Sequence, residues 1–138
     1  MNIGQASRAT GVSTKMIRYY ESVGLIRPAD RTDSNYRDFA ERDVRELQFI
    51  RRARDLGFSI EVIGQLLSLW RDRDRPSREV KAVAEAHIAD LDARITEMQA
   101  MADVLRTLAR SCAGDDRPDC PILRDLAKVK PRGAPGRP

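Results

Sequence analysis

The chain of 138 residues contains two cysteines, Cys112 and Cys120, and both fall within the stretch SCAGDDRPDCPIL. Seven residues separate them, including Gly114 and Pro118, which is enough chain to loop back and bring two sulfurs together. Four chemistries compete for such a pair. A disulfide suits an oxidising compartment, but the opening MNIGQASRATGV lacks the charged-then-apolar pattern of a secretory signal, so a cytoplasmic, reducing setting is expected. Two unrelated free thiols are the bland reading. Zinc asks for four ligands, where the chain offers two thiols, the distant His87 and the carboxylates of Asp115, Asp116 and Asp119. A soft monovalent ion such as Cu(I), Ag(I) or Au(I) is satisfied by two thiolates alone. That complex keeps a negative charge, which a loop stabilises with backbone N–H groups or a helix N-terminus. PILRDLA after Cys120 reads as such a short helix, with Pro121 in its first turn. The three aspartates are expected to face solvent or cap that helix, and to coordinate nothing.

The rest of the chain must position this loop. Its length suits one domain plus an extended element and leaves no room for a large active-site cavity. One His with no nucleophile or carboxylate pair beside it makes no catalytic set, so an enzyme is not expected. No apolar run approaches the roughly 18 residues of a membrane span. The net charge of +4 permits nucleic-acid binding without demanding it.

Ile3 to Thr10 reads as a short helix, Gly11 as a turn residue, and Ser13 as the N-cap of a second helix to about Ser22. Two short helices across a glycine turn suggest a helix-turn-helix. Ala6, Val12, Ile17 and Tyr20 would then pack inward and leave Lys15 and Arg18 on the outer face. Leu25 to Arg27 and Tyr36 to Phe39 look strand-like around a Pro-, Asp- and Ser-rich segment, the pattern of a small hairpin or wing. A third helix spans Glu41 to Leu56 and ends at Gly57, although Ala40 offers no capping side chain. A fourth begins at Ser59 and would bury Ile60, Ile63, Leu67 and Trp70. From Ser77 to Ser111 there is no Pro or Gly, and Ala84, Ile88, Leu91, Ile95, Met98, Ala102, Leu105 and Ala109 recur at 4-3 spacing. A helix that long outruns the preceding domain, so a second copy is its expected partner. The tail KVKPRGAPGRP reads as disordered.

In order and spacing, IGQASRATGVSTKMIRYYESVGLI, the NYR of the wing, ELQFIRRARDLGFS and the cysteine pair with GDDRPD between them resemble the MerR family of bacterial transcription regulators. The cysteine loop resembles its copper-efflux subfamily (CueR/HmrR-like). The resemblance implies a mainly α protein: a winged helix-turn-helix DNA-binding domain at 1–75, a dimerisation helix at 76–111 forming an antiparallel coiled coil, and a metal-binding loop with a short helix at 112–128. A disordered basic tail at 129–138 would follow. It further implies a cytoplasmic homodimer, with no membrane, on double-stranded promoter DNA whose spacer is too long for RNA polymerase. The metal-loaded dimer would bend and underwind that DNA so transcription starts, an example of recognition by deformation. Cys112 and Cys120 would hold Cu(I), with Ag(I) or Au(I) as alternatives. Sensors of divalent ions in the family carry a cysteine from the opposite subunit where this chain has Ser77, which also reads as an N-cap. Lys15, Arg18, Tyr19, Tyr20, Arg31, Tyr36, Arg37 and Arg54 are the expected DNA contacts, with one of the two tyrosines expected in the core by helical position. The expected function is a Cu(I)-responsive activator of copper-efflux genes. A thiol-oxidation sensor and a copper-buffering or architectural DNA-binding protein remain the alternatives.

Overall fold

The computed structural model describes residues 1–128. The expected tail at 129–138 lies outside the described residues. The chain divides into two compact units, Met1–His87 and the part from Ile88 onward.

The first unit opens with α1 (Ile3–Thr10) and α2 (Thr14–Ser22). Asn2 caps α1 by accepting the Gln5 N–H at 2.8 Å, while the Gln5 side chain accepts the Asn2 N–H at 2.9 Å. Gly11 ends α1 at φ 72°, a left-handed conformation suited to glycine, and the Arg51 guanidinium donates to its carbonyl. A side chain at Gly11 would collide with that guanidinium, so the tight turn and the arginine contact depend on the same missing Cβ. Ser13 caps α2 by accepting the Met16 N–H. These caps satisfy amide donors that a helix start otherwise leaves unpaired.

The wing is smaller than expected: its second strand falls within Tyr36 to Phe39 as expected, and its first lies later in the chain. Its strands are β1 (Asp30–Arg31) and β2 (Arg37–Asp38), paired antiparallel with Arg31 opposite Arg37. Asn35 turns the hairpin at φ 64°, a conformation asparagine tolerates. The expected strand at Leu25 to Arg27 does not form. Leu25 and Ile26 instead bond back to the Tyr20 carbonyl and enter the core. Burial against α2 outweighs the β-propensity of that short apolar run.

Helix α3 (Glu41–Asp55) starts without a capping side chain, but Asp43 reaches back to the Ala40 N–H at 2.9 Å. Helix α4 (Ile60–Arg71) is capped by Ser59. Ile17, Ile26, Leu47, Ile50, Ile63 and Leu67 form the centre of the core, where truncation to alanine typically costs about 2–5 kcal/mol. Trp70, expected inside, is 40% exposed and stacks on Phe49 at 4.7 Å between ring centroids, and Ile60 is only half-buried. The twelve-residue α4 buries just the stripe through Ile63 and Leu67, and Trp70 falls beyond its edge. Two acids are buried with basic partners: Asp43 lies 3.4 Å from the Arg27 Nε, and Glu46 is paired with Arg71.

Helix α5 (Ser77–Ser111) begins at Ser77 itself, so this serine is the first helical residue and not the residue before it. The second unit contains most of α5 and, after a loop, α6 (Pro121–Leu126). No residue of α5 is buried: Ile88, Ile95, Met98 and Leu105 are each more than half exposed.

Candidate metal loop and nucleic-acid interface

Cys112 follows the last turn of α5 and donates its N–H to the Ala109 carbonyl. Cys120 is the N-cap residue of α6, with Pro121 in the first position, so its sulfur sits where the amides of a helix start point outward. Both are free thiols and half-buried. The fold leaves the Cys112 side chain near enough across the loop to favour the Cys120 thiolate.

The Cys120 thiol is held below its ordinary pKa, chiefly by the Leu123 N–H. Partial burial opposes this, the Ile122 N–H and the Cys112 side chain assist, and the Asp119 charge opposes. The amides favour the thiolate by their dipoles without closing a capping hydrogen bond.

Two of the loop aspartates are occupied by neighbours. Asp115 pairs with Arg117 at 2.8 Å and accepts the Arg117 N–H, and Asp119 pairs with Arg124 at 3.4 Å. These arginines offset carboxylate charge that would otherwise repel a thiolate pair. Among the described residues no three His, Cys, Asp or Glu side chains gather into a metal-binding group. Two free thiols on one loop, with no third donor grouped with them among the described residues, fit a soft two-coordinate ion, which Cys112 and Cys120 would hold.

In the first unit Lys15, Arg18 and Tyr19 are exposed on one side of α2. Neither Lys15 nor Arg18 has an ion-pair partner among the described residues, so both are available to an anionic ligand. Tyr20 is 4% exposed with its ring in the core, and this withdraws it from the candidate contacts; α2 turns Tyr19 outward in its place. On the wing, Tyr36 is 72% exposed and Arg31 donates to the Asn35 carbonyl. Arg37 points elsewhere. Its Nε donates to Glu21 at 3.1 Å, and Glu21 also accepts the Ala29 N–H, so the pair ties the wing to α2. Arg54 is exposed on α3, whereas Arg51 is engaged with Gly11 and Asp55. Ser77 is exposed at the start of α5.

Sequence reasoning missed Glu21, Glu46 and the surroundings of His87. Nothing in the residue pattern marks an acid for burial when its basic partner lies many positions away, as with Glu21 and Arg37. His87 stacks on Phe58 of its own chain, a contact that nothing in the helical spacing of α5 points to.

Comparison with known proteins identifies the family to which this fold belongs. Residues 1–70 match the family model described as MerR HTH family regulatory protein, and residues 44–108 match one described as MerR, DNA binding. The chain is 60% identical over 127 residues to heavy metal-dependent transcription regulator 2 of Rhizobium meliloti (strain 1021), covering 92% of this chain and 86% of that protein. It is 40% identical over 127 residues to the HTH-type transcriptional regulator CueR of Salmonella typhimurium (strain LT2), covering 92% of each. Among solved structures it is similar to the transcription regulator PbrR691 from Ralstonia metallidurans CH34 in complex with lead(II). The TM-score there is 0.80 at 34% identity, covering 92% of this chain and 99% of that one. The helix-turn-helix, wing and long α5 thus belong to a chain of the MerR family, a non-enzymatic family of DNA-binding transcription regulators.

Proposed function

We propose that the protein is a heavy-metal-responsive transcription activator whose signal is Cu(I), acting as a homodimer on promoter DNA. The observation that carries the reading is the pair of free thiols on one loop, Cys120 at the start of α6 with Cys112 favouring its thiolate, and with Asp115 and Asp119 already paired to arginine. Relatives named as heavy metal-dependent regulators and as CueR support a metal signal. The donor chemistry supports its identity, because two thiolates favour a soft monovalent ion over a harder divalent one. Ser77 supports it further, since a hydroxyl does not supply the third thiolate of a divalent site.

On this reading the loop residues have separate tasks. Cys112 and Cys120 bind, the Leu123 and Ile122 amides hold negative charge on Cys120, and Arg117 and Arg124 neutralise Asp115 and Asp119. Cys112 and Cys120 would hold the ion, and its binding would bias one of two protein shapes. Lys15, Arg18, Tyr19, Arg31, Tyr36 and Arg54 hold the duplex, and distortion of the promoter presents it to RNA polymerase. The expected setting is the cytoplasm, where thiols stay reduced; no helix among the described residues is long and apolar enough to cross a membrane. A divalent signal is the second reading, favoured by the structural likeness to a regulator in complex with lead(II).

An anaerobic competition titration separates the two. Reduced protein is titrated with Cu(I) against a tight chelator, with Zn(II) and Pb(II) as controls. One Cu(I) held tightly per chain, lost in Cys112→Ser and in Cys120→Ser and unmatched by the divalent ions, is the expected result. Equal or tighter binding of Zn(II) or Pb(II) would overturn the copper assignment.

A further inference from the structure

His87 is the chain's one histidine, and neither the metal loop nor the DNA face uses it. It stands on α5 at the last position of the first unit. Its Nε2 lies 2.7 Å from the Leu56 carbonyl oxygen. A carbonyl only accepts, so Nε2 carries the hydrogen. On its face the imidazole stacks on Phe58, with ring centroids 4.1 Å apart and planes 25° from parallel. Leu56 is the C-cap of α3, and Phe58 immediately precedes the Ser59 cap of α4. Between them Gly57 takes φ 88°, and a Cβ there would stand 3.4 Å from the His87 Nε2. One side chain of α5 therefore holds the α3–α4 connection by an edge and by a face.

This contact matters because little else ties α5 to the domain. The extensive helix pairings are α1 with α2, α1 with α3 and α3 with α4, and α5 has none of comparable extent. From Leu56 the connection continues inward. Arg51, on the last turns of α3, donates to the Gly11 carbonyl in the turn that precedes α2. A shift of α5 at His87 thus reaches, through α3 and Arg51, the turn that aims Lys15 and Arg18.

We propose that His87 is a positioning residue that transmits metal-induced movement of α5 to the DNA-binding helices through its bond to Leu56. The proposal rests on the metal-switched reading above. A contiguous chain of contacts is not itself coupling; coupling is read as a change in the metal-induced response. The test compares wild-type full-length dimer, His87→Phe and His87→Gln on the promoter duplex that the protein footprints. Each is measured for DNA affinity without metal, for Cu(I)-induced untwisting by chemical footprinting, and for thermal stability. Phenylalanine keeps the stack and removes the donor, whereas glutamine restores a donor.

The expected result is unchanged metal-free affinity in all three and a Cu(I)-induced response cut by at least about fivefold in His87→Phe and recovered in His87→Gln. A wild-type response retained in His87→Phe would overturn the proposal while leaving the metal-sensor reading intact. Equal loss of affinity with and without metal would also overturn it, by reducing His87 to a fold-stabilising contact. Failure of His87→Gln to recover the response would overturn the hydrogen bond as the link. Absence of any response in the wild type would remove the metal-sensor reading and this proposal together.

Discussion

Cys120 is the residue on which the loop's chemistry turns, because it is both half of the sulfur pair and the cap of α6. The Leu123 and Ile122 amides depress its pKa against the opposing effects of burial and Asp119. A lowered thiol pKa means that the thiolate is present above the folded value and lost as pH falls through it. Alkylation of Cys120 in metal-free reduced protein should therefore reach its plateau rate at a lower pH than an ordinary thiol, as read by mass spectrometry of the modified peptide. A pH profile no different from that of free cysteine would remove the amides from the account. The cysteine pair itself was legible in the sequence, since both lie in one short loop that ends a helical pattern. The Glu21–Arg37 pair was not: a charge run says nothing about which charges find each other sixteen positions apart. The helical position of Tyr20 pointed it inward, and it meets the core while Tyr19 stays exposed.

Among the elements, α5 was the most legible, because sustained 4-3 spacing without Pro or Gly admits few alternatives. Its bounds agree with expectation, Ser77–Ser111. The stripe through Ile88, Ile95, Met98 and Leu105 remains exposed within a single chain, which is the condition that pairing with a second copy relieves. Ile95 is 62% exposed in the chain itself, so Ile95→Asp should leave each chain folded while separating two copies. Sedimentation is expected to report monomers, with helical content by circular dichroism reduced only where the pairing had supported α5. A dimer persisting in Ile95→Asp would place the interface elsewhere. The wing was the least legible element. Strands of two residues carry too little pattern for a period of two to register, and the apolar Leu25 and Ile26 were drawn into the core instead.

For the whole molecule the proposed function assigns DNA contact to the first unit and leaves the sulfur pair to the second. Arg18, exposed on α2, belongs to the first, so Arg18→Ala should weaken promoter binding by about tenfold or more with copper or without it. The same variant should flatten the dependence of affinity on salt, because a cation that no longer meets a phosphate no longer releases a counterion from the DNA. Unchanged affinity and slope would refute Arg18 as a DNA contact. The order of helices, the capped helix-turn-helix, the long α5 and the placing of two thiols on one loop all followed from residue types and their spacing, since these depend on neighbours within a few turns of chain. The family resemblance extended that reading to promoter DNA. Contacts between residues remote in sequence needed the folded chain: Arg51 on Gly11, Asp43 and Glu46 buried with Arg27 and Arg71, and His87 on Leu56. Such contacts arise because packing brings particular atoms together, and for Asp43 and Glu46 it also removes them from water, so that each would cost free energy without a partner. Periodicity records which face of an element is apolar, and it holds no information on which distant polar group will be waiting there.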